Sequence, residues 1–337
     1  MPKAQNPTLL DVASTITSNG TVKPMIEALS NTNGFFDDVT IVEANDGTSN
    51  EANVRTGLPS GTFRRLYQGV QPEKSEKVTV KDKSAQLTSY SVLDKALHDR
   101  QGSNAGPWRQ QEDTAFLEGM SQNMITALFY GNSSTSPEQF DGLSSRYSTT
   151  NESVANHINV IDGGGTGNNN TSIYLIAWSP QTVAMFYPQG TQAGLQIQDK
   201  GQVTATDANG GEYEAYKTYF EWNSGLTVLD WRAVVRIANI DVTKLKGDAS
   251  SGADLVDLMD DAIACLPEVA GARPVWYMNK KVYSVLRKQV ENKAKYQIQR
   301  EDFYGNGRKV PTYEAFPIRT VEQLLKNEET VTNTETA

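Results

Sequence analysis

The feature that most constrains this chain is residues 107–131, PWRQQEDTAFLEGMSQNMITALFYG. Leu117, Met120, Met124 and Leu128 recur at helical spacing, and Phe116, Ile125 and Phe129 widen the apolar stripe. Pro107 stands where a first-turn proline is tolerated, and Gly131 where a left-handed C-terminal cap is common. Such a helix spans roughly 35 Å. Its polar face carries Arg109, Gln110, Glu112, Asp113, Glu118 and Gln122. A helix of this length among many short strands is either a rod on which sheets and loops lean or a buried helix of an α+β enzyme. Periodicity alone does not separate the two.

Taken in order, residues 8–20 and 24–33 predict two short helices, and FFDDVTIVEAN predicts a strand. This N-terminal piece has too few apolar residues to close a core, so it must pack on the rest of the chain or on another copy. Residues 45–61 are polar and turn-rich. Between 62 and 90 the pattern predicts a long β-hairpin, with arms TFRRLY and KVTVKDKSAQLTSY joined by QGVQPEKSE. Val78 and Val80 alternate with Lys77, Thr79 and Lys81, as in a strand wet on one face. A charged ribbon of this kind is poorly stabilised alone, so it reaches to a partner or lies flat on its own domain.

A helix is expected at 91–100, with Ser91 and Asp94 as a capping box. DGGGTGNNNTS (162–172) reads as a flexible loop. Two strand-to-helix units follow: SIYLIAW into a helix through Val183, Met185 and Phe186, and RPVWYM through Asn279 into a helix through Val282, Val285, Leu286 and Val290. Tyr216, Thr218, Phe220 and Trp222 mark a strand, Asn223-Ser224-Gly225 a turn, and Leu226 to about Ile240 a second strand. DLVDLMDDAIACL is an acidic helix with Asp254 and Asp257 at its start, where the helix dipole favours them. FPIRTVEQLL is a short strand or helix, and KNEETVTNTETA a disordered tail. Without a regular βαβ order a doubly wound sheet is not expected.

The chemical inventory is nearly empty. A net charge of −9 argues against a protein whose main work is gripping phosphate backbones, although not against one that encloses nucleic acid. The single cysteine, Cys265, lies on the apolar stripe of the acidic helix and allows no intrachain disulfide. His98 and His157 are far apart in sequence with no nucleophile or zinc spacing around either. DANGGE (207–212) begins like a calcium loop, but Thr218 stands where its last ligand should be, so Asn209-Gly210 is read as a hairpin turn. Asp254, Asp257, Asp260 and Asp261 are explained by a solvated helix face, as is the basic run from Lys280 to Lys295. No apolar run approaches the ~20 residues of a membrane-spanning helix. No catalytic, cofactor or metal residue is assigned, and a structural or binding role is expected over an enzymatic one.

Against this background the stretches ALSNTNGFFDDVTIVEAN, RTGLPSGTFRRLYQGVQPEKSEKVTV, YSVLDKAL, EDTAFLEGMSQNMITALFYGN, FDGLSSRY, IYLIAWSPQTVAMFYPQGTQAGLQIQDKG, GLTVLDWRAVVRIANID and FPIRTVEQLL resemble the major capsid proteins of short-tailed bacteriophages. The likeness runs from about residue 8 to 325, and its specificity lies in the order and number of the stretches. It implies the α+β capsid fold named after coliphage Hong Kong 97. The expected parts are an N-terminal arm (1–50), an extended hairpin or E-loop (51–88) and a peripheral domain (89–155) with its spine helix at 107–131. An axial domain (156–310), some of whose strands return to the peripheral sheet, and a C-terminal strand with a disordered tail (311–337) complete it.

The resemblance implies a shell of many copies, as hexamers and pentamers, around double-stranded DNA held without sequence-specific binding. It implies a location in the virion, assembly in the host cytoplasm, a portal, a separate scaffolding protein, since no scaffold segment precedes the arm, and room for a decoration protein. No membrane and no cofactor are expected. Contact candidates are Phe35 and Phe36 in the arm, Phe63, Arg64, Arg65 and Tyr67 on one hairpin arm, and Lys77 and Lys81 on the other; packing within the chain is the competing explanation for each. An encapsulin-like cargo compartment shares the expected fold. A soluble hydrolase would depend on His98 or His157, and a carbohydrate-binding module would expose the aromatic rings between 213 and 231.

Overall fold

The structure, a computed structural model, describes residues 34–207, 209–247, 252–293, 299–301 and 310–332. The helices expected at 8–20 and 24–33 lie outside the described residues. In chain order the strands are β1 (Ile41–Glu43), β2 (Ser49–Gly57), β3 (Glu76–Lys83), β4 (Ala85–Asp94), β5 (Val160–Asp162), β6 (Asn170–Trp178) and β7 (Val183–Tyr187). Then come β8 (Leu195–Thr206), β9 (Glu212–Val228), β10 (Val234–Asp241), β11 (Arg273–Met278), β12 (Gln299–Glu301), β13 (Val310–Tyr313) and β14 (Phe316–Thr320). The longer helices are the spine helix Ala105–Tyr130, the acidic helix Leu255–Cys265 and the basic helix Lys280–Lys293. By internal contacts the chain forms two units, one of residues 86–126 and 192–223, the other of 34–85, 127–191 and the chain from 224 onward.

In the first unit β4, β9 and β8 form a sheet. Thr218 and Phe220 of β9 face the N-terminal part of the spine helix. Phe220 stacks on Phe116 with ring centroids 5.7 Å apart, and Arg109 donates to Thr218 and Asp199. Leu93, Leu97 and Trp108 close a small core beside them. β4 runs on to Asp94, so Asp94, and not Ser91, caps the short helix Lys95–Arg100, its carboxylate accepting from the Ala96 amide. Asp207 accepts from the amides of Asn209 and Gly211, and Gly210 takes φ +86°, which makes DANGGE a hairpin turn.

In the second unit β6 is central. It pairs antiparallel with β10 on one side and β11 on the other, and β14, β13 and β12 extend the sheet beyond β11. All nine residues of β6 and all eight of β10 are buried, the pattern of strands covered on both faces. Alternation sorts their side chains. Ile173, Leu175, Val235, Ile237, Trp276 and Met278 meet Leu255, Val256, Met259 and Ala262 of the acidic helix and Val282, Leu286 and Val290 of the basic helix. The opposite face is aromatic: Tyr174, Trp178 and Tyr277 gather around Phe35 and Phe129. The Asn279 N-cap of the basic helix forms as expected, accepting from the Lys281 amide at 3.0 Å.

Several expectations are corrected. The hairpin is made by β2 and β3, so its first arm is the polar stretch read as turns, while TFRRLY lies in the tip; β4, assigned with the hairpin, belongs to the first unit. Val183–Tyr187 is a strand and not a helix, paired with β1 and with the end of β9. β9 does not turn at Asn223-Ser224-Gly225; a Cβ on Gly225 would lie 2.4 Å from the Phe186 ring and 2.8 Å from the Lys83 carbonyl, so glycine is there for close approach. Gly131 likewise is no left-handed cap: a Cβ there would meet the Phe140 carbonyl at 2.4 Å.

The glycine-rich loop is pinned, the amides of Gly163 and Gly165 donating to the Ala238 and Asn239 carbonyls. The described part of the tail is held to the body: Glu328 is buried and the Val331 amide donates to Asn239.

Candidate assembly surface

The β2–β3 ribbon leaves the second unit at a fixed root. Asn45 borrows a strand position, donating to the Glu51 carbonyl and accepting from its amide, and the Ser84 amide donates to the Thr48 carbonyl. The Ser49 hydroxyl, the Gly47 amide and the Thr48 hydroxyl hold the Asp46 carboxyl below the usual aspartate range. Asp82, 4% exposed, accepts from Arg146 at 2.8 Å, and the same guanidinium donates to the Leu226 and Asp141 carbonyls. Asn50 donates to the Thr227 hydroxyl. Beyond the root the rungs run from Glu51↔Lys81 to Gly57↔Glu76.

Residues 58–75 at the tip hold no regular secondary structure. A structureless stretch of this length in a compact protein is usually functional. Its internal ties are few: the Gly61 amide donates to Glu73, and the Gln68 amide to the Arg65 carbonyl. Phe63 and Tyr67 are fully exposed, Leu66 is 81% exposed, and Leu58 and Val70 are also in solvent. Isolated exposed hydrophobics are ordinary; five of them within one loop make an apolar cluster in solvent.

The family model for "Major capsid protein GP7" matches residues 17–332. The chain belongs to the GP7 family of major capsid proteins. Among solved structures it is similar to bacteriophage Epsilon15, at 33% identity over 98% of this chain and 99% of that one, with a TM-score of 0.76. The bacteriophage JBD30 capsid, 14% identical over 94% of this chain and 99% of that chain, TM-score 0.52, shares the fold. No curated protein matches the chain. The fold is therefore the Hong Kong 97-like capsid fold, and this GP7 protein is a phage virion component that builds a capsid shell from many copies.

In this GP7 protein the contact candidates divide. Phe63, Arg64, Arg65 and Tyr67 share the exposed tip. Lys77 and Lys81 lie along β3, Lys81 ion-paired with Glu51 at 2.5 Å. Phe36 is half-buried against Phe35. Phe35 itself has no exposed surface. It packs on Phe129, Trp178 and Tyr277, so it is a core residue of its own chain and not a contact with a neighbour. Arg319 ties the same segment down by a two-pronged contact with Asp38, at 2.7 and 3.0 Å. Burial raises the Asp38 carboxyl above the usual range despite Arg319.

Sequence reasoning missed Leu58, Leu66 and Val70, although all three are visible in the run LPSGTFRRLYQGV. It also missed Asp82 and Arg146, whose pairing no local pattern signals.

The rival chemistries find little support among the described residues. The His98 ring packs on Tyr216, and His157 Nδ1 lies 2.7 Å from the Val154 carbonyl. Burial and the nearby Asp261 push the Cys265 thiol up, away from nucleophilic use. No group of acidic, histidine and cysteine residues is placed to hold a metal among the described residues. Phe220 and Trp222 are buried, so the aromatic strand is a packed strand and not an open sugar platform.

Proposed function

We propose that many copies of this chain close an icosahedral shell around packaged double-stranded DNA, with the ribbon tip lying on neighbouring copies. The observation that carries this reading is the tip itself, where Leu58, Phe63, Leu66 and Tyr67 have no partner surface among the described residues. Many modest contacts of this kind add up to a stable shell although each is weak. A net charge of −9 suits a container that must not hold its DNA tightly. The match to a phage family favours a virion shell over a protein-filled compartment.

In this reading assembly takes place in the host cytoplasm on a separate scaffolding protein, a portal occupies one vertex, and the outer surface leaves room for a decoration protein. Arg64 and Arg65 add charged contacts around the apolar tip. Negative-stain microscopy of the protein expressed alone and with its neighbouring genes tests the proposal. Closed shells or capsomer-like rings are expected, and their nucleic-acid content separates a DNA container from a cargo compartment. A dispersed monomer under both conditions would overturn it.

A further inference from the structure

We infer that the ribbon docks by one face only, the face of Ala52, Val54, Val78 and Val80, and that what it docks on is a second copy of this chain. The inference rests on the shell reading above and adds the orientation of the ribbon within it.

The antiparallel register sorts the ribbon's side chains into two sets. One set places Glu51 opposite Lys81, Asn53 opposite Thr79 and Arg55 opposite Lys77. Two of these rungs answer each other: Lys81 pairs with Glu51, and the Thr79 hydroxyl donates to Asn53 Oδ1 at 2.8 Å, while Arg55 and Lys77 are both cations and stand in solvent. The other set places Asn50 opposite Asp82, Ala52 opposite Val80 and Val54 opposite Val78. At the root this second face lies on the chain's own body, through Asn50 to Thr227 and Asp82 to Arg146. One rung further out it turns apolar. Along β3 it opens from buried Asp82 through half-buried Val80 to Val78, 53% exposed.

The surface that seats the ribbon on its own body therefore continues outward as an apolar strip. A strand pair cannot exchange its faces without slipping register, so the face that is down at the root is the face available beyond it. Four small side chains fall far short of the roughly 1,200 Å² that a stable pairwise interface buries. A strip this small is useful only where its contact is repeated, which is what a shell built from copies of one chain provides. Lys77 and Lys81 lie on the opposite, charged and water-facing side and take no part in the docking.

The test compares adjacent positions on opposite faces, 78 and 79, in the full chain expressed with its neighbouring genes. Val78→Lys is expected to lose shells while keeping the wild-type melting transition, and Thr79→Lys is expected to keep them. A benzophenone-bearing amino acid at 78 should cross-link to a second copy in assembled particles, and the same group at 79 should not. Intact shells with Val78→Lys, or equal loss with both substitutions, would overturn the face assignment. Cross-links from 78 only within its own chain, or only to a different protein, would overturn the occupant. Absence of wild-type shells would instead overturn the shell reading on which the inference rests.

Discussion

Two parts of the second unit handle their surfaces in opposite ways. On the aromatic face of the central sheet a charge is buried and fully answered. Arg236 donates to Glu328, to the Ser172 hydroxyl and to the Tyr147 and Ser144 carbonyls, and Tyr130 and Ser172 complete the Glu328 carboxylate. Burial pushes the Tyr130 phenol far above its usual range, so it stays a donor. On the ribbon, apolar groups stand in water and are not answered at all. Removing one partner of a buried ion pair this complete leaves an uncompensated charge in the interior, whereas an exposed phenylalanine contributes to stability only once something covers it. The interior is sufficient to itself; in the proposed shell the ribbon is covered by neighbouring copies.

The comparison can be broken first at its interior end. Glu328→Ala strands the buried Arg236 guanidinium and should destabilise the subunit by about 3–5 kcal/mol in urea unfolding. Phe35→Ala should cost a similar amount, about 3–5 kcal/mol, because the residue is core. If Phe35→Ala instead left unfolding unchanged and blocked only assembly, its placement here would be wrong.

A smaller effect is expected at Asp241, whose carboxyl the Thr243 hydroxyl and amide hold at about 2. Because this lies below the ordinary value of 3.8, its contribution is complete above that value and is lost as pH falls toward about 2. Asp241→Asn should flatten the urea midpoint against pH in that window alone. The smallest effect on stability belongs to the tip. Phe63→Ser with Tyr67→Ser should change unfolding by no more than about 0.5 kcal/mol, yet remove shells from micrographs. Loss of stability in that variant would mean that the tip packs on its own chain.

What could be read from the sequence follows this same division. β6 and β11 are legible because strands buried on both faces are written as continuous apolar runs, whereas the apolar run from Leu226 to Ile240 merges the end of β9 with β10, which the short helical turn Trp231–Ala233 separates. The spine helix was legible from its period, although Gly131 was read as a cap when it serves close approach. β2 was not legible, since SNEANVRTG has polar residues on one side and small ones on the other and is held by β3 more than by burial. TFRRLY has strand-like composition, but composition cannot tell a paired strand from an exposed tip. VAMFY is too short for periodicity to separate helix from strand. The tail looked disordered because the group that orders it, Arg236, stands 92 residues before Glu328. Among the contact candidates the tip residues followed from local pattern, while the burial of Phe35 depended on Trp178 and Tyr277, far along the chain.

That separation also sets a timetable for synthesis. β6 gains its neighbours β10 and β11 only after another sixty to hundred residues have been made, roughly speaking, and such non-local pairings form late. Arg236 gains its carboxylate only when the ribosome has reached residue 328. The ribbon, by contrast, has emerged entire by residue 83 and closes on itself through local pairing. A nascent chain thus presents its exposed apolar tip long before it has a finished body, and that interval is when nascent chains most need to be kept apart.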